Sequence, residues 1–280
     1  MPLTPREKAA WQEIREWEEK LLSYEPNDFQ LTYEKYLERS FSLLPSKVQK
    51  QFFTMLDTWL FHLHSLIQGS QLQMDAKERI LASGRIFNQH IEKIEDLRHL
   101  EIDQLQYIAE QHMARHRLYS FFQGSLTGSG STILLGTDIP AMAVINIRAV
   151  QLIAMTYGYE INTPNEMMNS LKVFHIATLP PQIQKNGWLA LIKETEQYQH
   201  NYFYVGNDEM TNISWVEQPI QQLLKAFIIA LFRKKLIQGI PLVSMAIGAG
   251  ANYQLTRKVT NIAHKYYQLR YLKEKEELSE

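Results

Sequence analysis

Residues 242–272, LVSMAIGAGANYQLTRKVTNIAHKYYQLRYL, are the stretch from which the fold is best predicted. They follow Pro241 and contain no aspartate or glutamate. Ala246 and Gly250 are four residues apart, and small residues at this spacing let two helix backbones approach closely. The stretch therefore predicts one long helix that packs tightly against another helix.

A second segment of the same character lies near the middle of the chain. Gly124 and Gly128 are again four residues apart. The run Gly136–Pro140, ending in Ile-Pro, precedes an apolar helix predicted over 139–157, just as the Ile-Pro that ends at Pro241 precedes the later helix. The shared Ile-Pro is too short to establish a repeat. We expect two glycine-containing apolar helical hairpins that pack together.

The remainder of the chain also has helical periodicity, because apolar residues recur every three or four positions and no run of four to eight residues alternates between apolar and polar. Thr163 can cap a helix, Pro164 suits its first turn, and Glu166 can complete a capping box. The predicted fold class is therefore all-α, a multi-helix globular bundle. Helices are predicted at 29–43, 45–69, 75–96, 101–122, 139–157, 215–237 and 242–272, with a loop at 202–212. Three further helices are predicted: one through Ala10 and Leu21, one that starts at Thr163 and buries Phe174, and one that follows Pro181 and runs through Trp188 to Tyr198.

Charge divides the chain into two parts. Residues 218–273 hold nine lysines and arginines and no acid, whereas the rest holds 20 basic and 30 acidic residues. We predict an acidic N-terminal helical layer over 1–123, an apolar and basic helical core over 124–272, and a frayed polar tail over 273–280. One continuous domain is expected, with a soft boundary near residue 123.

Composition excludes several classes of site. The chain has no cysteine, which rules out disulfides, thiolate metal sites and cysteine nucleophiles and fits a reducing compartment. Residues 1–20 lack the apolar core of a signal peptide, so a cytoplasmic location is expected. Residues 236–256 are uncharged, but Gln238, Pro241 and Asn252 interrupt them, so a simple membrane span is not expected.

The basic C-terminal part predicts a surface for an anionic membrane or an acidic partner, since both attract cations that flank apolar side chains. No nucleic-acid motif accompanies these cations, so nucleic acid is not an expected partner. The candidate membrane- or anion-binding residues are Lys234, Lys235, Arg257, Lys258 and Lys265.

Polar residues interrupt the two apolar hairpins and predict either a buried network or a pocket. Buried charges need partners, so Asp138 is expected to pair with Arg148 or with Arg257. A ligand or lipid-headgroup site between the hairpins is the alternative. The candidate buried polar or pocket residues are Asp138, Asn146, Arg148, Gln151 and Asn252.

No familiar catalytic or cofactor motif is found in the sequence. The glycine-rich run 124–132 lacks the lysine of a phosphate loop, and no Gly-x-Ser-x-Gly nucleophile elbow occurs. His112 and His116 have the spacing of a helical metal site, but Arg115 and Arg117 place positive charge beside them. We predict no catalytic residue, no metal site and no cofactor.

The two glycine-bearing segments resemble the motifs of a known family. The run Gly136–Tyr159, with its Asp-Ile-Pro, its Arg-Ala-Val-Gln and its closing Tyr-Gly, resembles the central motif of the EcsC family. The run from Ile240 to Arg270 resembles that family's C-terminal motif, and Trp17-Glu-Glu-Lys and the Leu-Leu before Pro45 also fit. The family is named after a bacterial operon that encodes an ABC transporter. The resemblance implies a bacterial helical protein, cytoplasmic or peripheral on the membrane, and supplies no reaction.

Three functional hypotheses remain open. The leading one is a non-enzymatic helical protein that associates with the inner face of the cytoplasmic membrane, or with a membrane transporter, through its basic C-terminal hairpin. The second is a hydrolase of lipid or peptide with a pocket near Asp138, Arg148 and Asn252. The third is a protein-binding module that serves an ABC transporter.

Overall fold

A computed structural model describes residues 3–25, 71–127, 132–179, 181–198 and 241–277, and these residues are helical throughout apart from short connections. No strand occurs among them, so the all-α fold class is confirmed. A 3₁₀ helix at Ile94–His99 lies between the second and third α-helices. The α-helices are α1 (Pro5–Leu22), α2 (Gln71–Phe87), α3 (Ile102–Thr127), α4 (Thr132–Thr156), α5 (Pro164–Thr178), α6 (Pro181–Tyr198) and α7 (Pro241–Glu277).

The helix α1 begins at a capping box. The Thr4 side chain accepts a hydrogen bond from the Glu7 backbone N–H, and the Glu7 carboxylate accepts one from the Thr4 N–H at 2.8 Å. Further along α1, the ring of Trp17 meets that of Trp188 in α6 edge-on, with centroids 4.8 Å apart. The Trp188 indole N–H donates to Glu18 Oε1 at 2.7 Å. The N-terminal helix is therefore docked on α6 by both packing and hydrogen bonding.

The helix α2 ends earlier than predicted. It stops at Phe87, whereas the sequence pattern indicated a helix through Asp96. Asn88 Oδ1 accepts a hydrogen bond from the His90 N–H, and Asp96 Oδ2 accepts from the N–H groups of Glu92 and Lys93. Short polar side chains that bond nearby backbone groups compete with helix formation, which accounts for the break and the 3₁₀ turn.

The apolar helix α4 begins earlier than predicted. It starts at Thr132, seven residues before the predicted start at Ile139, and it continues through Gly136 and Pro140. One glycine and one proline inside a helix cost about 4 kcal/mol together. Burial of the apolar residues that follow, among them Ile147 and Val150, outweighs that cost.

The link between α4 and α5 follows the sequence signals closely. Gly158 has φ +82°, and the Tyr159 N–H bonds the Ala154 carbonyl while the Gly158 N–H bonds that of Met155, which is a Schellman end. Thr163 Oγ1 then accepts from the Glu166 N–H at 3.2 Å and caps α5. Both boundaries were predicted from local residue types and are confirmed.

The long helix α7 lies in the middle of the described structure, where it contacts α1, α3, α4 and α5. The residues Tyr266 and Tyr267 are fully buried in this packing. The helix continues five residues past its predicted end at Leu272, and Lys275 forms an ion pair with Glu7 of α1. The acidic first helix and the basic last helix are therefore joined directly.

Some predictions lie outside the described residues. These are the helices predicted at 29–43, 45–69 and 215–237 and the loop at 202–212.

Candidate functional site

A buried polar cluster connects α7 to the start of α5. The Arg270 guanidinium forms an ion pair with Glu166 and a second one with Glu274, where Nε and Oε1 are 3.0 Å apart. The guanidinium carbons of Arg270 and Arg98 lie 4.0 Å and 4.6 Å from the ring centroid of Tyr159. Glu166 was predicted to close a capping box, and the structure instead uses its carboxylate to neutralise Arg270. The cluster pairs charges that are largely removed from water, so the loss of one partner would leave the other charge buried and uncompensated.

Three tyrosine hydroxyls lie inside this part of the core. The hydroxyls of Tyr157, Tyr159 and Tyr267 are buried, and none has a hydrogen-bond partner among the described residues. Burial raises the pKa of each phenol well above its ordinary value. The hydroxyls are therefore protonated at neutral pH and do not supply a nucleophile.

The cations predicted to meet a membrane occupy different settings. Lys258 Nζ donates to the Leu179 carbonyl, and burial lowers its pKa to about 8. Lys265 Nζ lies 3.6 Å from Glu13 Oε2 of α1. Arg257 is exposed, and Lys234 and Lys235 lie outside the described residues. The structure therefore does not gather the three described cations on one open surface, and their role in binding anions stays a prediction.

The residues predicted to form a pocket are also dispersed. Asn146 is buried and its Nδ2 donates to the Met142 carbonyl at 2.8 Å, while Gln151 is buried elsewhere on α4. Arg148 is half-buried; its charge lowers the pKa of His116, and the charge of Arg79 lowers the pKa of Arg148. Asp138 and Arg148 are ten residues apart on α4, about 15 Å along the helix axis. Since the Asp138 side chain lies outside the described residues, its predicted ion pair stays a prediction.

The fifth pocket candidate, Asn252, lies where α7 crosses α3. Its backbone carbonyl accepts a hydrogen bond from Ser120 Oγ at 2.8 Å, and Thr256 Oγ1 donates to the same Ser120 oxygen at 2.6 Å. All three residues are buried. This chain of hydrogen bonds satisfies hydroxyl groups in a close helix contact.

The histidine pair on α3 is buried between helices. His112 and His116 are 7% and 3% exposed. Burial lowers their pKa values to about 4 and about 3, with further lowering from the charges of Arg79, Arg115 and, for His116, Arg148. No group of three or more metal-ligating side chains occurs among the described residues. The positive charges of these arginines oppose the binding of a metal cation by the histidine pair.

One groove is lined by described residues of α2 and α3. It has a volume of about 460 Å³ and includes Ile86, Phe87 and Tyr107 in its lining, beside the acid Asp103. Large apolar side chains that line it are partly exposed, with Ile86 80% exposed. The groove contains none of the residues that the sequence singled out.

Large apolar side chains are also exposed near the start of α2 and towards the end of α3. On α3, the buried stripe contains Leu105, Ile108 and His116, whereas Leu118 and Phe122 face solvent. We call this end of the pair the aromatic surface; it consists of Met74, Leu118, Tyr119, Phe121 and Phe122.

Basic residues lie beside the aromatic surface. Arg79 and Arg115 are exposed, and neither forms an ion pair with another described residue. The negative charge of Asp75 acts to raise the pKa of Arg148, against the lowering by burial and by Arg79. Exposed aromatic side chains beside arginines form the kind of surface that binds membranes or partner proteins.

Comparison with known proteins identifies the family. The model of the EcsC protein family matches residues 8–272. This chain belongs to the EcsC protein family.

Two proteins of Bacillus subtilis strain 168 are similar to this EcsC-family chain. The uncharacterized protein YdbA is 24% identical over 252 residues, which cover 87% of this chain and 86% of YdbA. Protein EcsC is 25% identical over 175 residues, which cover 62% of this chain and 67% of EcsC. No solved structure matches.

The family resemblance seen in the sequence is thus confirmed, and the motif residues acquire structural roles. Gly158 of the closing Tyr-Gly ends α4, and Arg270 of the C-terminal motif pairs with Glu166. In the part of the chain that the structure describes, no helix is sufficiently long and apolar to span a bilayer. The aromatic surface was missed, and the signal that could have found it is the helical phase of α3, where Leu118 and Phe122 fall opposite the residues that begin the buried stripe.

Proposed function

We propose that this EcsC-family chain is a non-enzymatic helical protein that binds peripherally to the anionic, cytoplasmic face of a membrane. The aromatic surface is the observation that carries the proposal. Among the described residues, the exposed large apolar side chains lie on α2 and α3, with the exception of Leu189 of α6. Aromatic and aliphatic side chains on a helix insert shallowly at the headgroup boundary, where burial of apolar area stabilises the bound state.

Electrostatics supports this location. Arg79 and Arg115 lie beside the aromatic surface with no ion pair to a described residue, so their charges are available to anionic headgroups. Each such cation contributes about 1 kcal/mol near a negatively charged leaflet. On α7, by contrast, Lys258 and Lys265 already have acceptors within the protein.

The proposal differs in position from the sequence-based hypothesis, which assigned membrane contact to the C-terminal hairpin. Lys234 and Lys235 lie outside the described residues, and a contribution from them stays a prediction. A membrane protein such as a transporter is the competing partner, because an exposed aromatic surface also suits a protein interface.

The test compares two leucines of similar exposure. Leu118 is 52% exposed on the aromatic surface and Leu189 is 48% exposed on α6. Vesicles that contain phosphatidylglycerol are sedimented with the purified protein and with the Leu118→Ser, Phe122→Ser and Leu189→Ser variants. We expect the first two variants to lose about fivefold or more of their vesicle affinity and Leu189→Ser to keep it.

Two results would count against membrane binding through this surface. One is a protein that fails to sediment with the vesicles at all. The other is an equal loss of affinity in the Leu118→Ser and Leu189→Ser variants. If instead the aromatic variants lose co-purification with a membrane protein while lipid has no effect, the surface serves a protein partner.

A further inference from the structure

The groove between α2 and α3 combines exposed aromatic rings with an acid. The helix α2 contributes Ile86 and Phe87 to its lining, α3 contributes Asp103 and Tyr107, and the other described lining residues are uncharged. The rings of Phe87 and Tyr107 meet edge-on, with their centroids 6.3 Å apart. Eleven positions, about 16 Å along the helix axis, separate Tyr107 from Leu118 of the aromatic surface, so the groove is a separate feature of the same helix pair.

The formal charge at the groove is negative. Oδ2 of Asp103 lies 2.8 Å from Nη1 of Arg6, and the same nitrogen lies 3.3 Å from Oε2 of Glu101. Two acids therefore share one arginine, which leaves a net charge of −1. Since all three side chains are more than half exposed, these ion pairs are weak, and the Asp103 carboxylate retains room for a second donor.

The apolar part of the lining also suits a cation that is carried on a hydrocarbon stem. Aromatic rings attract ammonium and guanidinium groups that approach their faces within about 6 Å. Tyr107 is 55% exposed and Phe87 is 39% exposed, so both rings are accessible from solvent. Ile86 adds aliphatic surface beside them. Lysine and arginine side chains have this combination of an apolar stem and a charged head.

The shape of the groove favours a protein partner over a small molecule. Pockets for small molecules enclose most of the surface of their ligand. The groove has a volume of about 460 Å³, but its apolar walls are themselves largely exposed, so it does not enclose a ligand on all sides. Side chains that project from a partner's backbone need cover on one side only, because the partner itself covers the other.

We propose that the groove binds a basic segment of a partner protein. The stem of a lysine or arginine from the partner packs against Ile86 and Tyr107, and its charged head meets the Asp103 carboxylate. This inference goes beyond the proposed membrane binding, because it does not use the aromatic surface.

The experiment uses two synthetic peptides that differ only in charge, acetyl-Leu-Lys-Leu-amide and acetyl-Leu-Gln-Leu-amide. Each is titrated into the full chain while the δ1 methyl resonance of Ile86 is followed by NMR, with the buried Ile91 as the reference. Asp103→Asn and Tyr107→Ser change the groove. The matched control is Glu101→Gln, which removes a neighbouring acid that does not line the groove. Thermal unfolding checks that every variant folds.

We expect a saturable shift of the Ile86 methyl resonance and an affinity about fivefold higher for the lysine peptide than for the glutamine peptide. Asp103→Asn should weaken binding of the lysine peptide about threefold and leave the glutamine peptide unchanged. Tyr107→Ser should weaken binding of both peptides about threefold or more. Glu101→Gln should change neither affinity by more than about twofold.

The inference is overturned if neither peptide produces a saturable shift at Ile86, or if the two peptides bind with equal affinity, which would assign the groove to an uncharged apolar ligand. Equal weakening by Asp103→Asn and Glu101→Gln would also overturn it, since the attraction would then be diffuse rather than local. A dimer of the chain that Tyr107→Ser dissociates would assign the groove to a second copy instead.

Vesicle binding separates this inference from the proposed function. If Tyr107→Ser lowers the affinity for phosphatidylglycerol vesicles as much as Leu118→Ser does, the groove belongs to the membrane contact and the inference is overturned. If peptide binding fails while vesicle affinity still depends on Leu118 and Phe122, the proposed function stands without this site. The two proposals can therefore fail separately.

Discussion

The helix α7 and the α2–α3 pair both carry basic side chains, but some of these cations are paired with acids of other helices and others are not. On α7, Arg270, Lys265 and Lys275 each meet a carboxylate from another helix. On α2 and α3, Arg79 and Arg115 meet none among the described residues. Three described cations of α7 therefore join helices within the fold, whereas the two arginines of α2 and α3 are the ones that we propose meet a partner.

The two regions also differ in what surrounds the charges. Around Arg270 the neighbours are buried tyrosines, and the charge is held between Glu166 and Glu274. Around Arg115 the neighbours include exposed aromatic side chains such as Phe122, which is 56% exposed. The first arrangement neutralises a charge inside the folded protein, and the second is the one that we propose stabilises a membrane-bound state.

The largest effect on stability is expected from removing the charge of Arg270. In an Arg270→Met variant, Glu166 would remain buried without its cation, which costs about 3–5 kcal/mol of the free energy of unfolding. Urea denaturation measures this loss. Arg115→Met, beside the aromatic surface, is the matched control, and its free energy of unfolding is expected to change by no more than about 0.5 kcal/mol. Equal losses in the two variants would show that Arg270 and Arg115 contribute alike to the free energy of unfolding.

A smaller loss is expected from Gly158→Ala at the end of α4. The backbone there has φ +82°, and an added Cβ would lie 2.4 Å from Cγ of Arg98. We expect a loss of about 2–3 kcal/mol from left-handed strain and from displacement of Arg98. Gly250→Ala inside α7, where nothing lies within 4 Å of the added carbon, should instead raise stability by up to about 1 kcal/mol. A loss at Gly250 as large as that at Gly158 would contradict this account.

The buried histidines predict a loss of stability in acid. Burial lowers the pKa of His264 on α7 to about 3, from an ordinary value of 6.5. The unfolded chain therefore binds a proton that the folded chain resists, so this contribution is intact above pH 6.5 and is lost as the pH falls toward 3. Between pH 7 and pH 5 the loss from this residue is about 2 kcal/mol.

The measurement is the free energy of unfolding at several pH values for the unmodified protein and for His264→Phe. The phenyl ring keeps the edge-on packing against Tyr157, whose ring centroid lies 5.8 Å from that of His264. We expect the variant to lose less stability than the unmodified protein between pH 7 and pH 5. Parallel pH profiles would mean that His264 titrates in the folded protein as it does in the unfolded chain.

The smallest effect is expected on vesicle affinity, when the charge of one exposed arginine is reversed. Arg115→Glu, beside the aromatic surface, should lower the affinity for phosphatidylglycerol vesicles about fivefold or more, since it removes one favourable cation and adds a repelled anion. Arg257→Glu, an exposed reversal on α7, should lower it less. A larger loss of vesicle affinity in the Arg257→Glu variant would favour membrane contact through the C-terminal segment, as the sequence-based hypothesis proposed.

Much of the fold could be predicted because its signals are local. Thr163, Gly158 and the spacing of apolar residues act through neighbouring backbone and side chains, and the structure confirms these boundaries. The early end of α2 was missed because the side chains of Asn88 and Asp96 bond backbone groups in a pattern that helical periodicity does not reveal.

The location of the candidate site could not be predicted in the same way. A sequence shows that Arg270 and Arg115 are cations. It does not show that Arg270 pairs with Glu166, which is 104 positions away, or that Arg115 forms no ion pair with another described residue. Likewise, the exposure of Leu118 depends on which side of α3 is covered by α2, α4 and α7. Composition therefore could not show that Lys258 and Lys265 have acceptors within the protein, and the part that they play in binding an anion stays a prediction.

The most direct test of the aromatic surface uses the absence of cysteine from the chain. A single cysteine at Phe122→Cys, or at Leu189→Cys or Arg257→Cys as controls, carries an environment-sensitive fluorophore, and its emission is recorded as phosphatidylglycerol vesicles are added. We expect a blue shift and quenching by lipid-borne quenchers for the label at position 122 only. A shift at position 257 or 189 without one at position 122 would contradict the account.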